Sequence, residues 1–335
     1  MSDSAEVRVF SPSSSTADNA PDVTGDIYEG LTRSPKDISS WPKYLYDSRG
    51  SELFEEITEQ PEYYQTRTEL SMLEKLSGDI VSGGDFGELV ELGSGSSSKT
   101  RAIIDAMLGS SDTTISYVPL DVSESAVEEG TESLGKDYQG LSVSGYVGDF
   151  DGAVGEFLAS LPEGNGNRLV IFLGGTIGNF TPLRREGFLE GVRYGLRRGD
   201  RFLVGVDLVK DITTLESAYD DSAGVTAAFN RNVLSAINDR IGSDFDPLLF
   251  DHKAIYNKEE TRVEMWLIST RDQEINLGEG GLSVHFSKGE GVRTEISTKF
   301  TRETASNMFE GSGLELVELY TDRDSLFGLA LGKPE

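Results

Sequence analysis

The stretch Val90-Glu91-Leu92-Gly93-Ser94-Gly95-Ser96-Ser97-Ser98-Lys99-Thr100 closes an apolar run with two glycines and a string of small polar residues. Glycine after a strand lets the backbone turn sharply and a ligand approach closely, with the N-terminus of the next helix behind it. A dinucleotide fingerprint needs a third glycine where Ser98 stands, so a nicotinamide cofactor is disfavoured. Asp121 ends the next apolar run, at the distance expected of an acid that accepts from both hydroxyls of a ribose. Gly148-Asp149-Phe150 ends the third and offers a carboxylate and an aromatic ring to an adenine. Turn, ribose acid and adenine pocket together describe a site for an adenosyl group. The fourth run ends Phe172-Leu173-Gly174-Gly175-Thr176-Ile177-Gly178-Asn179-Phe180. It lacks the Asp/Asn-Pro-Pro-aromatic sequence of enzymes that methylate nucleobase amines. Asn179 and carbonyls freed by the glycines can still accept from, and orient, a substrate amine. Further on, Glu295 and Ser297 stand two apart in an alternating segment, hence on one face, where they can accept from a ring N–H.

These residues need a scaffold that brings strand ends together. Apolar runs at Gly87–Glu91, Thr114–Leu120, Leu141–Val147, Arg168–Leu173 and Arg201–Val206 alternate with helical patterns, such as Ile103, Ile104, Met107 and Leu108 on one face. Thr181-Pro182 caps another helix that carries Phe188, Leu189, Val192 and Leu196. Five such units predict a doubly wound, mostly parallel sheet. Tyr28 to Leu76 reads as helical. Val225, Phe229, Val233, Ile237 and Ile241 recur every four residues and predict a long helix. Arg262–Ser269, Leu282–Phe286 and Arg293–Phe300 read as antiparallel strands, and Leu314–Tyr320 with Ser325–Leu331 as a closing hairpin. A parallel sheet finished by such a hairpin resembles the class I, Rossmann-like methyltransferase core, an α/β fold. Residues 1–25 are then expected to form a flexible acidic tail. Residues 26–67 and 210–299 would form an inserted α+β substrate lobe, with 68–209 and 300–335 as the core.

Composition removes several function classes. Acidic residues number 58 against 30 basic, a net charge of -28 that repels phosphate backbones and disfavours nucleic acid as partner. The carboxylates spread along the whole chain, which reads as a halophile's surface, its self-repulsion screened by molar salt. Cysteine is absent, so disulfides, zinc–thiolate sites and a cysteine nucleophile are excluded. With only His252 and His285, neither a Ser-His-Asp triad nor a histidine-rich metal site is expected, and both histidines read as surface or packing residues. No run approaches the ~18 apolar residues of a membrane helix, and no secretory pattern opens the chain. A cytoplasmic monomer without metal or membrane partner is expected.

Five segments are similar to the L-histidine Nα-methyltransferase family: Tyr46-Asp47, Pro61-Glu62-Tyr63-Tyr64-Gln65-Thr66-Arg67-Thr68-Glu69, Glu91-Leu92-Gly93-Ser94-Gly95, Gly175-Thr176-Ile177-Gly178-Asn179, and Ala218-Tyr219 through Asn232. The resemblance runs from about Gly30 to Leu331 and implies S-adenosylmethionine-dependent methylation of the histidine α-amine, up to trimethylation, in ergothioneine biosynthesis. Carried over, it implies that Asn179 and Tyr46 hold the amine beside the Gly174 carbonyl. Tyr219 with Asn179 would bind the carboxylate, and Tyr63, Glu295 and Ser297 the imidazole. Met265 would wall the side-chain pocket, and Thr226 in the Tyr219 segment joins the substrate set. Gly93, Ser94, Gly95, Lys99, Asp121, Asp149 and Phe150 would bind the cofactor. By residue type alone Met265 is core, Tyr63 half-buried packing and Glu295 a solvated strand residue. Two other readings stay open: an enzyme for another amino acid such as tryptophan, and a non-catalytic adenosylmethionine-binding regulator.

Overall fold

The chain enters through a short strand, β1 (Glu6–Val9), and helix α1 (Val23–Thr32), then a two-residue strand β2 (Lys36–Asp37) and helices α2 (Ser48–Thr58) and α3 (Gln65–Ser82). A regular alternation follows: β3 (Phe86–Leu92), α4 (Arg101–Ser110), β4 (Ile115–Asp121), α5 (Glu124–Asp137), β5 (Leu141–Val147), α6 (Val154–Ser160), β6 (Asn167–Phe172), α7 (Pro182–Gly195) and β7 (Arg201–Asp207). After α8 (Ile212–Ser217) and α9 (Val225–Ile241) come β8 (Phe250–Asn257), β9 (Arg262–Ser269), β10 (Gln273–Asn276), β11 (Ser283–Phe286) and β12 (Gly291–Thr298). Helix α10 (Arg302–Glu310) and the hairpin β13 (Leu314–Thr321) and β14 (Phe327–Pro334) close the fold. This computed structural model describes residues 6–12, 23–40, 47–95, 97–111, 113–162, 164, 166–278 and 281–335.

The main sheet has the order β1-β5-β4-β3-β6-β7-β14-β13. All pairs from β1 to β7 are parallel, and β14 runs antiparallel to both β7 and β13. Strand β3 is buried at every residue, as a strand covered by helices on both faces must be. Two apolar clusters lie on the sheet's opposite faces, one around Phe157, Phe172 and Phe188, the other around Leu89, Ile104 and Leu203. The strand order reverses between β3 and β6, which opens a crevice beyond their carboxyl ends.

A second, antiparallel sheet has the order β2-β12-β9-β8, and β10 pairs with β11 separately. Its apolar face packs on α1, α2 and α9 through Ile27, Leu53, Phe229, Val233, Met265 and Leu267. The 3₁₀ turn Thr176–Asn179 after β6 meets β12 where a β-carbon on Gly178 would stand 2.8 Å from the Thr298 carbonyl oxygen. Only glycine allows the two backbones this close.

Four segments depart from the expectations. The acidic tail is not loose throughout: β1 pairs in parallel with β5, and the Phe10 ring packs edge-on against Phe157 at 5.1 Å. The helical reading of Tyr28–Leu76 is broken by β2, which pairs with β12. Strand β8 and helix α10 lack a readable period because each buries little. Only Phe250 and Ala254 of β8 and Ala305 and Phe309 of α10 are buried.

Candidate active site

Backbone hydrogen bonds join three strand ends. The Gly93 N–H donates to the Leu120 carbonyl at 2.8 Å and the Gly148 N–H to that of Asp121 at 2.9 Å. Gly93 and Gly95 are left-handed (φ 69° and 48°), and a β-carbon on Gly95 would meet nothing within 4 Å, so conformation rather than crowding requires the glycine. The Asp121 carboxylate accepts from the Gly95 N–H at 2.8 Å and the Ser123 N–H at 2.9 Å, one on each oxygen. Each oxygen keeps a further lone pair for a ribose hydroxyl. Ser94 is buried, and its hydroxyl has no partner among the described residues. Asp149 is exposed at the end of β5, beside the half-buried Phe150 ring, which stands edge-on to Phe172 at 5.9 Å. An acceptor pair for a diol, an orphaned hydroxyl and an aromatic wall around an open glycine turn fit an adenosyl ligand.

Lys99 lies where this turn meets the substrate side. Its ammonium pairs with Glu69 at 2.5 Å, and Glu69 also accepts from the Gly174 N–H at 2.9 and 3.0 Å. Glu69 is fully buried and clamps the glycine turn of β3 to that of β6. Glu69 closes the Pro61–Glu69 motif and received no role from the sequence; its place in the second turn of α3, after the Tyr63-Tyr64 pair, was the available signal. Beneath the turn, Glu91 accepts from Thr100 and Tyr117, and burial pushes its carboxyl up to about 7.

Beyond β6, Gly174 and Gly175 are left-handed in succession (φ 81° and 70°), and they swing the chain into the 3₁₀ turn that presents Asn179. The Asn179 Nδ2 donates to Glu295 Oε1 at 3.3 Å. Glu295 reaches this point through an irregularity. On β12 Arg293 stands opposite Trp266 and Glu295 opposite Met265, so Thr294 is an extra residue. Alternation alone would put Glu295 on the face of Arg293, which pairs with Asp37 and Glu264. The bulge moves it to the Met265 face. There it is buried, with Oε2 unpartnered among the described residues, and burial raises its carboxyl to about 7 against the pull of Lys299.

Ser297 follows on the same face. Its oxygen accepts from the Tyr219 hydroxyl at 2.8 Å and from Lys299 at 2.9 Å. Lys299 also donates to Tyr219 at 2.9 Å and to Asp207 at 2.7 Å. Burial works against the Lys299 ammonium, but Asp207 and Tyr219 outweigh it and hold its pKa above the usual lysine range. Asp207 is shared with Lys210 at 2.6 Å and the Tyr64 hydroxyl at 2.8 Å, and the two ammoniums keep it ionised despite burial. Burial in turn lowers Lys210 to about 8. Lys299, Lys210, Asp207 and Tyr64 received no role from the sequence. Lys299 was legible as the next residue of the Glu295, Ser297 alternation.

Tyr63 and Met265 share the apolar cluster of the second sheet, with the Tyr63 ring edge-on to Phe54 at 6.1 Å. Thr226 caps back through its N–H to Asp221 at 2.6 Å, while its buried hydroxyl has no partner among the described residues. Tyr46 lies outside the described residues. His252 is more than packing. Its Nε2 meets the Tyr219 carbonyl at 2.8 Å and its Nδ1 the Asn230 amide at 2.9 Å, and burial holds its pKa low. His285 is exposed. Among the described residues no group of side chains could hold a metal ion, and no helix is long and apolar enough to cross a membrane.

The order β5-β4-β3-β6-β7-β14-β13, with β14 reversed and a glycine turn at the switch point, is that of a class I methyltransferase. The family model of histidine-specific, S-adenosylmethionine-dependent methyltransferases matches residues 23–334, and the chain belongs to that family. It is 42% identical over 316 residues to the histidine N-alpha-methyltransferase of Mycolicibacterium smegmatis, covering 94% of this chain and 96% of that one. The protein of the same name from Mycobacterium tuberculosis is 42% identical over 306 residues, covering 91% and 93%. The ergothioneine biosynthesis protein 1 of Schizosaccharomyces pombe is 27% identical over 299 residues, which span 87% of this chain and 38% of that protein.

Proposed function

We propose that this chain methylates the α-amino nitrogen of L-histidine with S-adenosylmethionine, successively to the trimethylated betaine hercynine, the first step of ergothioneine biosynthesis. The observation that carries the reading is the 3.3 Å contact between Asn179, on the turn that follows β6, and Glu295, re-aimed by the bulge in β12. It joins an amide suited to orient an amine to a buried carboxylate suited to read a ring N–H, and this supports the reading. In this reading α1, α2, α9 and the second sheet form the substrate lobe.

S-adenosylmethionine supplies an electrophilic methyl group, and Gly93, Ser94, Gly95, Lys99, Asp121, Asp149 and Phe150 would hold it. The chain's own residues then do the work of placement. The amine must be neutral to attack. Asn179 gives its Nδ2 to Glu295, which leaves its Oδ1, with the Gly174 carbonyl, to accept from the amine N–H groups and aim the lone pair. Tyr46 is assigned to the amine on the family resemblance alone. Tyr219, with Asn179, is assigned to the substrate carboxylate on the family resemblance, and Tyr63, Thr226, Met265, Glu295 and Ser297 would enclose the ring. Glu295 takes one ring N–H, which gives its unpartnered Oε2 a donor and favours its ionised form.

Replacing Glu295 by Ala tests this assignment against an enzyme for tryptophan, whose indole has one N–H and no ring acceptor. The variant should lose roughly ten- to a hundred-fold in histidine kcat/KM, about 1.5–3 kcal/mol for a hydrogen bond to a charged group. Its calorimetric affinity for S-adenosylmethionine should stay unchanged. Histidine turnover left intact would remove Glu295 from the ring pocket.

A further inference from the structure

Lys299 sits beneath the ring pocket, and its side chain has no exposed surface. The alternation that follows the bulge puts Glu295, Ser297 and Lys299 on one face. All three ammonium hydrogens are spent there, on Asp207, Tyr219 and Ser297. An ammonium only donates. The oxygens of Tyr219 and Ser297 are therefore both acceptors toward Lys299. Ser297 accepts again from the Tyr219 hydroxyl, so it does not donate back across that contact. With Lys299 and Tyr219 both donating to it, the remaining Ser297 hydrogen has no acceptor within the cluster. It is left for an acceptor on the side of Glu295, whose own free oxygen accepts. Glu295 Oε2 and the Ser297 hydrogen are then opposite halves of one reader.

We propose that Lys299 is a specificity-setting positioning residue: by donating to both Tyr219 and Ser297 it fixes Ser297 as a hydrogen-bond donor toward the pocket. The Glu295–Ser297 pair then reads a five-membered ring with one N–H and one lone-pair nitrogen. This rests on the histidine reading above. Stability alone gives little reason for such an ion. Well-packed apolar side chains often replace a buried ion pair at no cost, and Asp207 already has Lys210 as a partner. A charge in this position earns its place by orienting hydroxyls. Without it the Ser297 hydroxyl rotates freely and serves donor or acceptor alike.

The test compares histidine with alanines that carry a 2-pyrrolyl or 3-pyrrolyl group. Each keeps one of the two ring N–H positions and lacks the second nitrogen. The kcat/KM values are measured for wild type, Lys299→Met, Lys299→Arg, Ser297→Ala and the Lys299→Met, Ser297→Ala double variant. Calorimetric binding of S-adenosylmethionine serves as the folding control. Wild type should prefer histidine over the better pyrrole by about ten- to a hundred-fold, the penalty for leaving a buried donor unpaired. Lys299→Met and Ser297→Ala should each shrink that preference to a few-fold, the double variant no further, and Lys299→Arg should retain it. A preference left intact in Lys299→Met, with both substrates slowed equally, would overturn the proposal. So would a preference left intact in Ser297→Ala, which does not depend on how the Lys299 variants fold. A wild type that does not turn over histidine would instead overturn the histidine reading, and this proposal with it.

Discussion

At the scale of single residues the site runs on a few buried charges. Glu295 holds its carboxyl near 7 through burial, while in the unfolded chain it titrates near the ordinary glutamate value of ~4.3. Its folded pKa is therefore raised, and the native state binds more protons than the unfolded one between those limits. Stability due to Glu295 falls as pH rises from about 4.5 to about 7 and is flat above. The stability advantage of wild type over Glu295→Gln should shrink by up to ~3 kcal/mol between pH 5 and pH 8 in urea unfolding of the free protein. A difference that does not change with pH would mean that Glu295 stays ionised. The pairing of Glu295 with Ser297 on one face was readable from their spacing alone. Its perturbed charge state was not, because burial of a strand-borne glutamate leaves no mark in the sequence. The same holds for Glu69, whose clamp on Lys99 and Gly174 joins residues about thirty and a hundred positions apart.

Among elements, the bulge at Thr294 and the turn after β6 decide where chemistry can occur. The bulge is held from behind. Thr294 donates to the Asn230 Oδ1 and, at 3.1 Å, to the Met265 carbonyl, and Asn230 in turn bonds His252, which meets the Tyr219 carbonyl. One chain of side chains thus ties the strand that aims Glu295 to the loop that carries Tyr219. The turn is held by a close approach. In Gly178→Ala the new β-carbon would lie 2.8 Å from the Thr298 carbonyl oxygen and 3.3 Å from its nitrogen, backbone atoms that cannot rotate away. Strand β12 should move off the turn and lengthen the Asn179–Glu295 contact. A displacement near 1 Å costs on the order of a hundred-fold in rate, so histidine kcat/KM should drop ten- to a hundred-fold while S-adenosylmethionine affinity persists. Unimpaired turnover would show that the approach is not needed. The parallel strands were legible as short apolar runs covered on both faces, and α9 by its helical period. Helix α10 and β8 were not, since each buries only two side chains. The bulge is a tertiary fact: Gly291-Val292-Arg293-Thr294-Glu295-Ile296 alternates without a break in the sequence.

Across the whole molecule, two sheets share the labour. The main sheet gathers three strand ends into a cradle at its switch point, and the antiparallel sheet brings β12 against the turn after β6, where the proposed function has methyl donor and amino acid meet at Asn179. The order of strands was readable from the strand–helix alternation. Strand β2 and its parallel pairing with β12, more than two hundred positions away, were not. The net charge of -28, spread along the chain, is a mutual repulsion that molar salt screens. The most direct measurement is therefore made there. The protein in molar KCl is incubated with L-histidine and S-adenosylmethionine, and the products are fragmented in a tandem mass spectrometer. The account predicts histidine carrying one, two and finally three added methyl groups, all on the α-nitrogen and none on the imidazole. Methyl groups on a ring nitrogen, or unmodified histidine beside methylated tryptophan, would contradict it.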